Sequence, residues 1–299
     1  MKPKELGAAV EKVLEQALAK GGDAFAPIFR SLLVRLQQAL ATLQTDAFGN
    51  IAQTPDNYQK VLSFVNEIVA RTFSPEAMRN VVSVFAEAME KTANLSNVYF
   101  TATSKVFNAV DPVLIAGRAA AISQAAAAAA PPAADLSSFL SRLLTDSISR
   151  GSSYEQMAQS LAERLTGADS PMQRYVKTIA KDAVMQFNRN YDMQVAKYYR
   201  MVFYLYEGGL QTTSRPFCKQ REGHYYHERE IRSWARENWE GKNPDTNENN
   251  IFSLAGGFNC NHKFIPVDNS IVPPAAVERA LRLKWLSQPE YDLYFKKNK

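Results

Sequence analysis

Cysteine and histidine are scarce in this chain: 299 residues carry two of the first and three of the second. Two cysteines in a chain of this size do not suggest a disulfide scaffold. No apolar run of membrane-spanning length lacks a charge except around 119–134, where alanine dominates. Alanine is too weakly hydrophobic for a span, and Pro131-Pro132 would break it, so no membrane association is expected. Met1-Lys2-Pro3-Lys4 leads into mixed polar sequence instead of the apolar core of a signal peptide. The expectation is therefore a soluble protein made in cytoplasm. Neither G-x-x-x-x-G-K-[ST] nor G-x-G-x-x-G occurs, so nothing suggests nucleotide hydrolysis or dinucleotide binding. No internal repeat is visible.

What is present argues for a folded chain, with 46% hydrophobic residues. The net charge of +5 is unevenly placed. Residues 1–170 carry 15 basic against 16 acidic side chains, and 171–299 carry 20 against 14. The basic excess of the second half suits an acidic partner, such as DNA or an acidic protein face.

Residues 1–118 read as successive helices. Leu6, Val10, Val13, Leu14 and Leu18 form one apolar stripe, and Ile28, Leu32, Leu33, Leu36 and Leu40 form another, with Gly21-Gly22 expected to separate them. Ser74-Pro75-Glu76 predicts a helix start. Residues 119–134 read as an Ala/Pro-rich hinge or linker, in which a helix could continue to Ala130 and stop there because proline disfavours a helical predecessor. Beyond it, Leu136, Leu140, Leu143, Leu144 and Ile148 mark one amphipathic helix, and Ser152-x-x-Glu155 predicts a capping box for the next. Ser170-Pro171 opens a long helix reaching 197–200. Met201–Tyr206 predicts a strand, Glu228–Glu240 a compact helix, Gly241–Asn250 an unpacked polar loop, Phe264–Val267 an edge strand, and Val277–Leu286 a short helix. The fold class expected is α+β and predominantly α-helical. It comprises an N-terminal helical region (1–118), the hinge (119–134) and a C-terminal domain (135–299). That domain is helical over 135–200, with a small α+β module over 201–299.

All five soft side chains lie in one stretch: Cys218, His224, His227, Cys260 and His262. They are candidate zinc ligands by type, but the spacing Cys218-x5-His224-x2-His227, then Cys260-x-His262, fits no standard finger or ribbon. His224-Tyr225-Tyr226-His227-Glu228 has the acid in the wrong place for a zinc protease. A Cys–His nucleophilic pair lacks an assignable orienting residue, and a nuclease built from these histidines with Asn259 or Asn261 is equally unconstrained. The blandest reading is a small core. In it Cys218 and Cys260 lie side by side as buried thiols, Gly256-Gly257 supplies a tight turn, and Arg215 fastens a carboxylate or backbone carbonyls.

The segments Ser214-Arg215-Pro216-Phe217-Cys218 and Gly256-Gly257-Phe258-Asn259-Cys260-Asn261-His262 bracket this patch. Between and beyond them stand Gly223, Glu230-Ile231, Trp234 and Ile265-Pro266-Val267. Together they resemble the phage Mu F-like minor head protein family, also called the head morphogenesis or minor capsid family, over about residues 136–268. The resemblance implies a structural role in a tailed-phage head, with the portal or major capsid protein as partner. It also implies a location in the virion head, an involvement in DNA packaging, and no enzymatic activity. Contact with DNA would be non-specific, through the basic half. The implied motif core is Arg215, Cys218, His224, His227, Gly256, Gly257, Asn259, Cys260 and His262. No cofactor is expected, with zinc on the Cys and His residues as the alternative. A different class of function also stays open, a Cys/His-dependent hydrolase or toxin-like effector such as a zinc-binding nuclease or peptidase.

Overall fold

The computed structural model describes residues 2–128, 133–167 and 170–296. The fold is predominantly helical α+β with one small antiparallel sheet. Its helices are α1 (Pro3–Leu40), α2 (Pro55–Thr72), α3 (Arg79–Thr103), α4 (Pro112–Ala128), α5 (Ala133–Ser149), α6 (Tyr154–Leu165) and α7 (Pro171–Tyr198). Then follow β1 (Phe203–Glu207), α8 (Pro216–Lys219), β2 (Tyr225–His227), α9 (Glu228–Ser233), α10 (Ile251–Leu254), β3 (Lys263–Val267), α11 (Pro274–Arg282) and α12 (Gln288–Tyr291).

The chain forms two compact units, and each is assembled from segments that are separate in the sequence. One comprises described residues within Met1–Gln16, Ala86–Ala126 and Lys181–Lys299; the other comprises those within Ala17–Phe85 and Ala127–Ala180. The expected division at 118 and 134 follows chain order, whereas these units interleave and divide within α1, α3 and α7. Residues 119–128 of the expected hinge are helical, and Pro131-Pro132 lies outside the described residues.

In the second unit α2 packs on α5. Val61, Val65 and Val69 are buried on α2, and Leu136, Leu140, Leu144 and Ile148 on α5, at the spacing that puts them on one helix face. Buried Asn57 ties down the turn after α1: its side chain accepts from the Gln44 amide and donates to the Gln44 and Ala52 carbonyls. Three boundaries here differ from the sequence reading. Helix α1 runs unbroken through Gly21, Gly22 and Pro27. Gly21 faces the Phe85 ring so closely that a Cβ there would lie 2.5 Å from Cζ, so packing explains the glycine where a break was expected. The capping box of α6 is Ser153 with Gln156, one residue later than expected. Ser74 does cap a turn through the Ala77 amide, but regular helix starts only at Arg79.

The first unit contains the sheet, in the order β2-β1-β3. β3 is an edge strand, and Pro266 sits opposite Tyr204 in its register. One sheet face carries Tyr204, Tyr206, Tyr226 and Phe264, whose rings meet Phe217, Trp234 and Phe252. Strand alternation puts Phe203, Lys263, Ile265 and Val267 on the other face. There Lys263 is fully buried; its Nζ donates to Asn188 (2.9 Å) and pairs with Asp192 (3.2 Å), both on α7. The helix expected over Glu228–Glu240 is shorter: α9 ends at Ser233 and a 3₁₀ turn covers Trp234–Arg236. Most of the loop over 241–250 is exposed, as expected; Thr246 is buried, and the Gly241 backbone closes over Gly257.

Candidate functional site

Both cysteines are delivered by short elements whose local chemistry is legible. Arg215 is the extended residue before α8 and Pro216 occupies its first turn, a favourable start because proline lacks the amide a helix cannot use there. Cys218 follows on the buried side of α8. Phe217 anchors that helix by stacking on Trp239 at 4.0 Å, and the Arg221 guanidinium lies 4.0 Å over the Phe217 ring and 4.5 Å over Trp234. The second segment coils back after α10 through three positive-φ residues, Ala255, Gly257 and Asn259. Cys260 and His262 then alternate on the run into β3.

The two sulfurs lie 4.0 Å apart, and Cys260 Sγ lies 3.8 Å from His262 Nδ1. One donor atom from each of Cys218, Cys260 and His262 falls within 4.8 Å of the other two, and all three residues are buried. Tyr206 borders the group: its hydroxyl is 3.3 Å from Cys218 Sγ, and its ring stacks on His262 at 5.1 Å. On its far side, His262 Nε2 is 3.0 Å from Glu222 Oε2, an ion-pair contact off the line of an ideal hydrogen bond. Glu222 is held in turn by the Gly209 amide (3.1 Å). Arg189, buried on α7, braces the backbone of the second segment. It donates to the carbonyls of Ser253 (2.9 Å), Cys260 (2.6 Å) and His262 (3.0 and 2.6 Å). Asn190 beside it takes the Ser253 hydroxyl.

These contacts separate the protonation behaviour of the groups. The hydrogen bond with Cys218 lowers Cys260 well below the usual thiol range against the cost of burial, helped by His262 and Arg189. The same hydrogen bond, with burial, pushes the Cys218 thiol up. Burial opposes a charge on His262, but hydrogen bonding to Cys260 and Glu222 outweighs it and lifts His262 to about 9. Burial likewise opposes the Glu222 charge, and His262 overcomes it and holds Glu222 down. The contacts thus favour charge on Cys260, His262 and Glu222 and disfavour it on Cys218. A cavity of about 380 Å³ opens over it, lined by Cys218, Cys260 and His262 together with Lys181, Arg215 and Glu240.

The other residues singled out in the sequence divide clearly. Arg215 Nη2 donates to the Phe258 carbonyl (2.7 Å), as expected of a backbone fastener. Asn259 is clamped: its amide donates to Asp182 (3.1 Å) and its side-chain oxygen accepts from Lys181 (2.7 Å). Of the five candidate ligands, His224 and His227 stand outside the donor group. His224 is exposed, its Nδ1 2.9 Å from the Glu222 carbonyl. His227 pairs with Phe203 in the sheet and packs edge-on against its ring. Its Nδ1 caps α9 by accepting from the Arg229 amide (3.2 Å), a task that occupies the lone pair a metal would need. Tyr206, Glu222 and Arg189 were not assigned to the site from sequence. They belong to a strand, a turn and a long helix, and only tertiary folding aims them here.

No protein-family model, curated protein or solved structure matches this chain. Among the described residues no helix is long and apolar enough to cross a membrane.

Proposed function

We propose that this chain is a minor structural protein of a tailed-phage head, associating with the portal or inner capsid during assembly. The observation that carries the reading is the convergence of Ser214–Cys218 and Gly256–His262. These are the two segments on which the resemblance to Mu F-like head proteins rests, and they meet at a 4.0 Å sulfur–sulfur contact inside a packed aromatic core. A core of that kind fixes the surface around it, which suits attachment. The basic excess of residues 171–299 supports a non-specific contact with packaged DNA as part of the same role.

The test is genetic, in the phage that encodes the chain. Removing the gene, or replacing Cys218 by alanine, is expected to give malformed or empty heads by electron microscopy, while purified protein shows no hydrolytic activity to lose. Normal heads at normal titre without the chain would contradict the reading.

One observation favours a second reading, a Cys/His-dependent hydrolase or effector. Cys260, His262 and Glu222 line up as a nucleophile, a base and an orienting carboxylate beside a cavity. That reading expects peptide or nucleic-acid hydrolysis by purified protein that Cys260→Ser abolishes. A preparation inactive on both substrate classes removes it.

A further inference from the structure

The resemblance leads one to expect a core without a cofactor, but the donor geometry around Cys260 points elsewhere. We infer that Cys218 Sγ, Cys260 Sγ and His262 Nδ1 bind one zinc ion, with the fourth position facing the cavity and taken by water. This does not depend on the assembly reading and would hold for either function.

Three observations carry it. The first is the shape of the donor set. A tetrahedral zinc with Zn–S of about 2.3 Å and Zn–N of about 2.0 Å sets its sulfurs about 3.8 Å apart and each sulfur about 3.5 Å from the nitrogen. The sulfurs here are 4.0 Å apart, Cys260 Sγ is 3.8 Å from His262 Nδ1, and all three atoms lie within 4.8 Å. Closing onto a metal asks for a few tenths of an ångström on two edges and up to about 1.3 Å on the third.

The second is the support behind each ligand. His262 turns Nδ1 toward the sulfurs and Nε2 toward Glu222 at 3.0 Å, the carboxylate–histidine arrangement that orients a metal-bound imidazole. The Tyr206 hydroxyl reaches Cys218 Sγ at 3.3 Å and can donate to a bound thiolate. Arg189 holds the carbonyls of Cys260 and His262, fixing the backbone between two ligands that are one residue apart. That brace answers the objection that a Cys-x-His step is tight for zinc.

The third is access. Gly256 lies against both sulfurs, closing one side, while the cavity lined by all three donors leaves the other side open. Three protein ligands with an open position suit zinc carrying an exchangeable water. Binding takes both cysteines as thiolates and His262 Nδ1 as a lone pair, any protons they hold pass to solvent, and nothing is oxidised or reduced.

The experiment uses the full chain, expressed with added zinc or, separately, added cobalt, and purified without chelator. Elemental analysis is expected to give about one equivalent of zinc per chain. The cobalt form is expected to show thiolate-to-metal charge transfer in the near ultraviolet and the strong visible bands of a tetrahedral ion. Cys260→Ser should lower the metal content at least about tenfold, while His224→Ala should leave it unchanged. If the serine variant does not fold, the cobalt spectrum of the unaltered chain decides alone. Metal-free protein from both media, a cobalt spectrum without sulfur charge transfer, or loss of metal in His224→Ala would overturn the assignment.

Discussion

A methyl group at Gly256 would sit 2.6 Å from Cys218 Sγ and 2.8 Å from Cys260 Sγ, with the Tyr206 hydroxyl 3.3 Å away. Gly256→Ala must therefore push the sulfurs apart or move α10, and a loss of about 1–3 kcal/mol is expected on denaturant unfolding. An unchanged midpoint would show that the sulfurs do not press on this turn. His227 gives a second residue-scale test. Burial, with Arg229 adding to it, lowers His227 to about 4 from the 6.5 of a free imidazole. The folded form thus keeps the ring neutral, as its capping of α9 requires. Its contribution is present above pH 6.5 and is lost as pH falls toward 4, amounting to about 2–3 kcal/mol across that window. Unfolding at stepped pH should show that fall, and His227→Asn should flatten it; equal slopes in the two proteins would contradict the assignment. The scarcity of cysteine and histidine made the patch legible in the sequence. Which histidine serves which partner was not legible, because His227 and His262 are chemically identical until the fold gives one a backbone amide and the other a thiol.

Helix α1 shows what pattern reading finds and what it misses. The apolar stripes predicted both halves of the helix, but Gly21-Gly22 looks like a break because glycine costs about 1 kcal/mol in a helix. The glycine is there for the Phe85 ring, a partner 64 positions away that no local window contains. Gly21→Ala, which would gain about 1 kcal/mol in an isolated helix, is therefore expected to destabilise the protein by thermal unfolding; a raised Tm would contradict the packing argument. The loop over 241–250 is mostly exposed, as its composition suggests, and only the backbone at its start fits against Gly257. Strand β3 makes a third case. Its apolar residues 264–267 were readable, but the register adds Lys263, buried against Asp192 and Asn188. Burial raises Asp192 and lowers Lys263, so neither charge is comfortable alone. Lys263→Met is expected to cost about 3–5 kcal/mol by leaving Asp192 without its cation. Lys263→Met combined with Asp192→Leu should recover most of that loss in the same denaturant titration, and additive losses would refute the coupling.

Across the whole molecule, chain order is a poor guide to organisation. The helical content and the C-terminal α+β module follow from periodicity and from β-branched and aromatic runs. The interleaving of the compact units does not, because long helices such as α3 and α7 contribute to both. The proposed function rests, in the sequence, on the two cysteine motifs and the charge asymmetry of the halves. If the basic half meets DNA in the head, affinity for duplex DNA should fall steeply with added salt, since each neutralised phosphate releases counterions. A flat salt response would remove DNA from the role. The proposed role requires this chain to be built into the head. Quantitative mass spectrometry of density-purified particles from the encoding phage tests it most directly. The expected result is a fixed ratio of this chain to the major capsid protein, below one and stable to nuclease treatment and washing. Infectious particles from which the chain is absent would contradict it.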